Sequence, residues 1–147
     1  MKILIAEDDP IARYFLETIL NELGYEVTAC ENGEVAWEAY RKSSYRVIIS
    51  DWMMPESDGI ELCRRVRKHN REDYCYFLIL TSRSTKADFL EAMDAGADDY
   101  LTKPLDSDEI RVRLRVAERI LKLHAPKPTA TSSSTIFKYR QEGTVKK

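Results

Sequence analysis

The chain is predicted to fold as an α/β protein, a doubly wound, five-stranded parallel sheet with helices on both faces. Three observations carry this. Strand-like runs of four to six residues alternate five times with helix-patterned stretches of ten or more, the pattern of crossover units. Right-handed crossovers then distribute the helices over both faces. Four of the five strands also end in an acid, a hydroxyl or a lysine, where an open parallel sheet forms its binding crevice.

The elements follow in order. Lys2-Ile3-Leu4-Ile5-Ala6 is the first strand and runs into Glu7-Asp8-Asp9. Asp9 is placed to cap a helix and Pro10 to occupy its first turn. Ala12, Phe15, Leu16, Ile19, Leu20 and Leu23 then recur at helical spacing until Gly24. A short second strand spans 25–29. Asn32-Gly33 opens a second helix with Val35, Ala36, Ala39 and Tyr40 as its apolar positions. The third strand begins at Tyr45 and delivers Asp51, and residues 55–59 read as a loop. Ile60, Leu62, Cys63 and Val66 mark the third helix. The fourth strand, 76–80, delivers Thr81-Ser82. Thr85 with Asp88 is a capping-box candidate for a helix that Gly96 stops. The last strand, 99–102, delivers Lys103-Pro104, and Asp106 with Glu109 opens a helix running to about Leu123.

Composition bounds the function. A chain of 147 residues suits one domain, predicted over residues 1–123. The net charge of -2 conceals an asymmetry. Residues 124–147 hold five basic residues against one acidic, a net of +4, which leaves -6 for residues 1–123. An acidic domain with a short basic tail argues against direct nucleic-acid binding by the folded part. Residues 126–135 are a low-complexity Pro/Ser/Thr stretch, so 124–147 is expected to be a flexible linker or tail. The chain either stands alone or is the front end of a longer protein. Cys30, Cys63 and Cys75 are odd in number and lack metal spacing, which reads as reduced core cysteines. No signal peptide is expected and no run approaches the roughly 20 apolar residues that span a bilayer, so the expected compartment is the cytoplasm.

Collected at one end of a sheet, these acids, hydroxyl and lysine would make a cation and phosphate site with one carboxylate free as nucleophile. Single polar residues there would read as caps or solvated loop positions; their coincidence on four strands favours a site. Trp52 is expected to be partly exposed, Met53 and Met54 to be apolar filler, Asp98 and Asp99 to be solvated, and His69 and His124 to be surface residues.

The motifs resemble those of the receiver domain of bacterial response regulators over residues 1–123. Glu7-Asp8-Asp9, Asp51-x-x-Met54-Pro55-x-x-Asp58-Gly59-x-Glu61, Thr81-Ser82 and Gly96-Ala97-Asp98-Asp99-Tyr100-x-x-Lys103-Pro104 stand in that family's order and spacing. The resemblance implies a flavodoxin-like strand order, 2-1-3-4-5. It implies that Asp51 is the phosphoacceptor, served by a histidine kinase or histidine phosphotransfer protein, with phosphorylation and dephosphorylation catalysed by the domain itself. Glu7, Asp8, Asp51 and the backbone carbonyl of Met53 would hold Mg²⁺. Thr81, the Ser82 amide and Lys103 would contact the phosphoryl group, and Lys103–Pro104 would be a cis peptide, an isomer that X-Pro bonds tolerate. Thr81 and Tyr100 take the switch positions.

The chemistry accounts for these residue types. Phosphoryl transfer needs an in-line nucleophile and positive charge around the equatorial oxygens. A carboxylate can be that nucleophile. Mg²⁺ requires hard oxygen ligands in octahedral geometry. Without metal, Glu7, Asp8 and Asp51 repel one another; at about 5 Å and an effective dielectric of about 20, each pair costs roughly 3 kcal/mol. By the same resemblance, Met53 and Arg83 would flank the path by which water reaches a phosphorylated Asp51. The same sheet could serve an aspartate-nucleophile phosphatase, but its second acid two residues after the nucleophile is replaced by Met53. A flavin-binding electron carrier would need a hydroxyl- and glycine-rich phosphate loop where this chain has three acids.

One expectation concerns output. On the last helix, Ile110, Leu114, Ala117 and Leu121 form a core stripe, while Val112, Val116, Ile120 and Leu123 form a second one about 135° away. Arg111, Arg115 and Arg119 lie between the stripes, with Glu91, Asp94 and Asp99 as possible opposite charges. The second stripe is expected to dock a symmetric dimer partner or a continuing signalling helix, rather than to be buried by the sheet and first helix.

Overall fold

Alternation along each strand decides which helices it meets. The computed structural model describes residues 1–69 and 71–124, so all of the expected tail but His124 lies outside the described residues. Its elements are β1 (Lys2–Ala6), α1 (Pro10–Glu22), β2 (Glu26–Cys30), α2 (Gly33–Lys42), β3 (Val47–Asp51), α3 (Gly59–Lys68), β4 (Tyr76–Thr81), α4 (Lys86–Ala95), β5 (Asp99–Thr102) and α5 (Ser107–Leu123). All strand pairs are parallel, in the order β2-β1-β3-β4-β5. Two strands start later than expected. The chain still turns at Tyr25, whose amide donates to the Leu20 carbonyl, so β2 begins at Glu26. Tyr45 and Arg46 lead into β3 without joining it.

Because strand side chains point alternately to opposite faces, the sheet has two cores. Ile3, Ile5, Val47, Ile49, Leu78 and Leu80 pack with Leu16, Ile19 and Leu20 of α1 and with Ile110, Leu114, Ala117 and Leu121 of α5. Leu4, Ala6, Ile48, Phe77 and Ile79 pack with residues of α2, α3 and α4, among them Ala36, Leu62, Val66 and Ala92. Central strands buried on both faces read as continuous apolar runs.

All five helices carry side-chain caps, four of them at positions the sequence announces and the fifth, Asp58, within the stretch read as a loop. Asp9, Asn32, Asp58, Thr85 and Asp106 each accept from an amide in the first turn, a contact worth about 1 kcal/mol. At the far end of α4, Gly96 has φ of 109°, and a Cβ there would lie 2.7 Å from Arg67 Cγ. Glycine is needed for both reasons.

Two expectations are corrected at the amino end of the sheet. Asp98 is not solvated: it accepts from Arg67 Nη2 (2.7 Å), the Phe77 amide (2.8 Å) and the Tyr74 hydroxyl. His69 is half-buried, edge-on to Trp37 and Tyr40. His124 is exposed, as expected of a surface residue, and stacks on Tyr74 with ring centroids 4.5 Å apart. Sequence spacing could not bring these rings together, because their partners lie on other elements. The three cysteines are buried and free.

Candidate functional site

Register builds the site. Ala6 pairs with Ser50, so the next residues, Glu7 and Asp51, emerge side by side; Thr81 pairs with Thr102, so Lys103 emerges beside them. Glu7, Asp8 and Asp51 each offer a carboxylate oxygen, all within 4.8 Å of one another. Lys103 Nζ lies 3.1 Å from Asp51 Oδ2 and 3.2 Å from Glu7 Oε1.

Asp51 is held from several sides. Its Oδ1 accepts from the Trp52 amide at 2.9 Å, and its backbone carbonyl accepts from Ser50 Oγ at 2.8 Å. Gly59 lets the start of α3 approach: a Cβ there would fall 2.2 Å from the Asp51 carbonyl oxygen. Glu7 is 1% exposed, whereas Asp8 is open to solvent. Burial pushes the Glu7 carboxyl above the usual carboxylate range; the Asp9 amide works against that, the Asp51 charge adds to it, and Lys103 opposes it. For Lys103, burial alone would lower the pKa, but the hydrogen bond to Asp51 and the charges of Asp51 and Glu7 raise it overall. The lysine is therefore a fixed cation among three acids. That donor set of hard oxygens fits Mg²⁺.

The switch-position residues lie on the same rim. Thr81 is buried, and its hydroxyl accepts from the Arg83 amide at 3.0 Å. Ser82 is exposed. Tyr100 is half-buried; its hydroxyl donates to the Arg83 carbonyl, and its ring meets Phe89 and Trp52 edge-on. The Lys103–Pro104 bond is cis. Met53 is exposed, and Met54 packs partly against the core.

Trp52 departs from expectation, being only 2% exposed. Its amide is tied to the Leu80 carbonyl and to Asp51, and the Arg83 guanidinium covers its ring at 4.2 Å while pairing with Asp88 at 2.8 Å. The sequence names Arg83 as a flanking residue but says nothing of this stack. Arg13 was missed. It donates to the Glu7 carbonyl, and the one available signal was a cation one helical turn beyond the Asp9 cap.

The output stripe is divided. Val112 and Leu123 are exposed, Val116 is half-buried, and Ile120 packs partly against the α1–α5 core. Of the acids offered to the arginine sector, Asp99 pairs instead with Arg113, at 3.7 Å. Among the described residues no helix is long and apolar enough to cross a membrane.

Comparison with known proteins gives a consistent result. The family model for the response regulator receiver domain matches residues 3–115. The transcriptional regulatory protein TcrA of Mycobacterium tuberculosis is 37% identical over 119 residues, covering 81% of this chain and 46% of TcrA. The chemotaxis protein CheY1 of Helicobacter pylori is 34% identical over 118 residues, covering 79% of this chain and 95% of CheY1. The receiver domain of the Pseudomonas aeruginosa sensor histidine kinase PA1611, solved with magnesium in its active-site cleft, superposes with a TM-score of 0.71 at 30% identity, over 80% of this chain and 94% of that one. The chain spans about half the length of several of its regulatory relatives, TcrA among them.

Proposed function

The chain belongs to the response regulator receiver family, that of the phosphorylation-dependent signalling switches, and on that premise we propose that Asp51 receives the phosphoryl group. The observation that supports this most is the position of its carboxylate, between the Lys103 ammonium and two further acids at the carboxyl end of the sheet. The donor is a phosphohistidine of a histidine kinase or a histidine phosphotransfer protein. An Asp51 carboxylate oxygen forms the new O–P bond as the N–P bond breaks, and the imidazole departs with its electron pair and takes a proton. Water later attacks the same phosphorus, the Asp51 O–P bond breaks, and inorganic phosphate leaves with the carboxylate restored. The domain catalyses both steps on itself.

Glu7, Asp8, Asp51 and the Met53 carbonyl would hold Mg²⁺. Once bound, the ion would neutralise the carboxylates and the charge on the phosphoryl oxygens. Lys103 supplies the opposite cation, and Thr81 and the Ser82 amide face the remaining oxygens. Met53 and Arg83, the latter packed on Trp52, flank the path of water and so tune the lifetime of the phosphorylated state. The cytoplasm is the compartment where such donors reside. Residues 1–123 form the domain, with 124–147 as its tail.

Incubation with acetyl phosphate and Mg²⁺ tests the assignment by intact mass. One phosphoryl adduct is expected, lost in Asp51→Asn and largely kept in Asp9→Asn. The same adduct in Asp51→Asn would sink the nucleophile assignment.

Downstream, Thr81 turns toward the phosphoryl group and Tyr100 moves with it, and the Val112, Val116, Ile120 and Leu123 stripe carries the change to a second copy of the chain. Beryllofluoride as a phosphoryl mimic addresses both. NMR shifts around Tyr100 should vanish in Thr81→Ala, and sedimentation should show self-association that Val116→Glu abolishes. Equal shifts in both proteins overturn the first link, and a monomer in every state overturns the second.

A further inference from the structure

Arg13 sits nearly one turn past the start of α1 in a region crowded with acids, yet it pairs with none of them: among the described residues it makes no salt bridge. Instead Nη1 donates to the backbone carbonyl of Glu7 at 2.8 Å and points at that of Asp8 at 3.5 Å. The side chain is half-buried. Its guanidinium lies near enough to Cys30, at the end of β2, to oppose the burial that pushes that thiol up to about 11.

We propose that Arg13 is a positioning residue for the cation site, a clamp on the main chain of the β1–α1 loop that keeps the Glu7 and Asp8 carboxylates aimed at one point. The inference rests on reading Glu7, Asp8 and Asp51 as the Mg²⁺ ligands. Three carboxylates within 4.8 Å push one another apart. Asp8 is the one free to leave, because it is exposed and sits on a loop, while Asp51 is at the end of β3 and Glu7 is buried. Fixing the carbonyls of Glu7 and Asp8 restricts the dihedrals on either side of both residues. A charge-assisted bond from α1 does this without consuming a carboxylate oxygen that the cation needs.

The sign of the effect separates this role from simple electrostatics. If Arg13 mattered only as a nearby charge, removing it would relieve repulsion of the incoming cation and tighten Mg²⁺ binding. As a clamp, its removal must weaken binding despite that relief. Partners that orient metal ligands are worth about 10–100-fold in affinity.

The experiment is a Mg²⁺ titration followed by Trp52 fluorescence in a Trp37→Phe background, with melting curves taken in the absence of metal. Arg13→Ala should bind Mg²⁺ about tenfold more weakly, and Arg13→Lys, which retains a charged donor, should recover part of the loss. Unchanged or tighter binding in a folded Arg13→Ala protein overturns the proposal. Should that variant not fold, Arg13→Lys decides: weaker binding than wild type supports the clamp, and unchanged binding overturns it. A wild-type protein with no Mg²⁺ response would sink the metal reading itself, an outcome distinct from a wild type that binds and an Arg13→Ala that binds equally well.

Discussion

The two ends of the sheet each gather charged side chains, with opposite results. At the amino end, Asp98 has three donors, and Arg67 gives its Nε to the Gly96 carbonyl, Nη1 to the Cys75 carbonyl and Nη2 to Asp98. Cation and anion are matched, and the hydrogen bonds tie α3 to β4 and to the turn before β5. At the carboxyl end, three carboxylates crowd together and one lysine pairs with two of them. There the protein keeps an excess of negative charge that it could have avoided. One cluster is a fastener and the other is a receptor, and the difference lies in how many charges are left without a partner.

The strongest way to break this comparison is to remove the cation of the satisfied cluster. Arg67→Ala leaves Asp98 without its cation and takes a donor from two carbonyls in a partly buried place, and should destabilise the fold by about 2–3 kcal/mol. Denaturant unfolding measures it; a loss below about 0.5 kcal/mol, the size typical of an exposed pair, would show that the network holds little together.

The opposite operation at the carboxyl end should have the opposite sign. Asp8→Asn removes one like charge and should raise metal-free stability by about 1 kcal/mol, the size of a like-charge pair close to solvent, while abolishing stabilisation by Mg²⁺. Thermal melts with and without Mg²⁺ give both results. A Mg²⁺ response equal to wild type would remove Asp8 from the cation site.

The smallest expected effect appears at alkaline pH. Burial first, then the hydrogen bond to Asp98, holds the Tyr74 hydroxyl well above its ordinary pKa of 10.0. A raised folded value contributes stability that is complete below the unfolded value and fades as pH rises above about 10. Tyr74→Phe should therefore lose less stability than wild type between neutral pH and about pH 11. Tyr76, raised by burial too, keeps part of the alkaline loss in both proteins. Parallel stability-versus-pH curves for the two proteins would show that Tyr74 does not contribute.

Much of this molecule is decided locally and is legible in its residue order. Strand-length apolar runs, helical spacing and capping residues such as Asp9, Asn32 and Thr85 act over a few residues, so they specify the element order and, with right-handed crossovers, the doubly wound sheet. The candidate site was legible for the same reason, since Asp51 and Thr81 end a strand, Glu7 and Lys103 directly follow one, and parallel register brings strand ends together. What residue order left open depends on groups distant in the chain. Trp52 is buried because it packs into the core beneath α2, α3 and α4, with Arg83, from another strand's loop, over its ring. Asp98 is a hub because α3 presents Arg67 to it from 31 positions away. Arg13 acts on carbonyls, which carry no signature in sequence at all. Contacts of this kind arise only when helices settle on the sheet, because a long side chain's reach is set by where its helix packs and not by its neighbours along the chain.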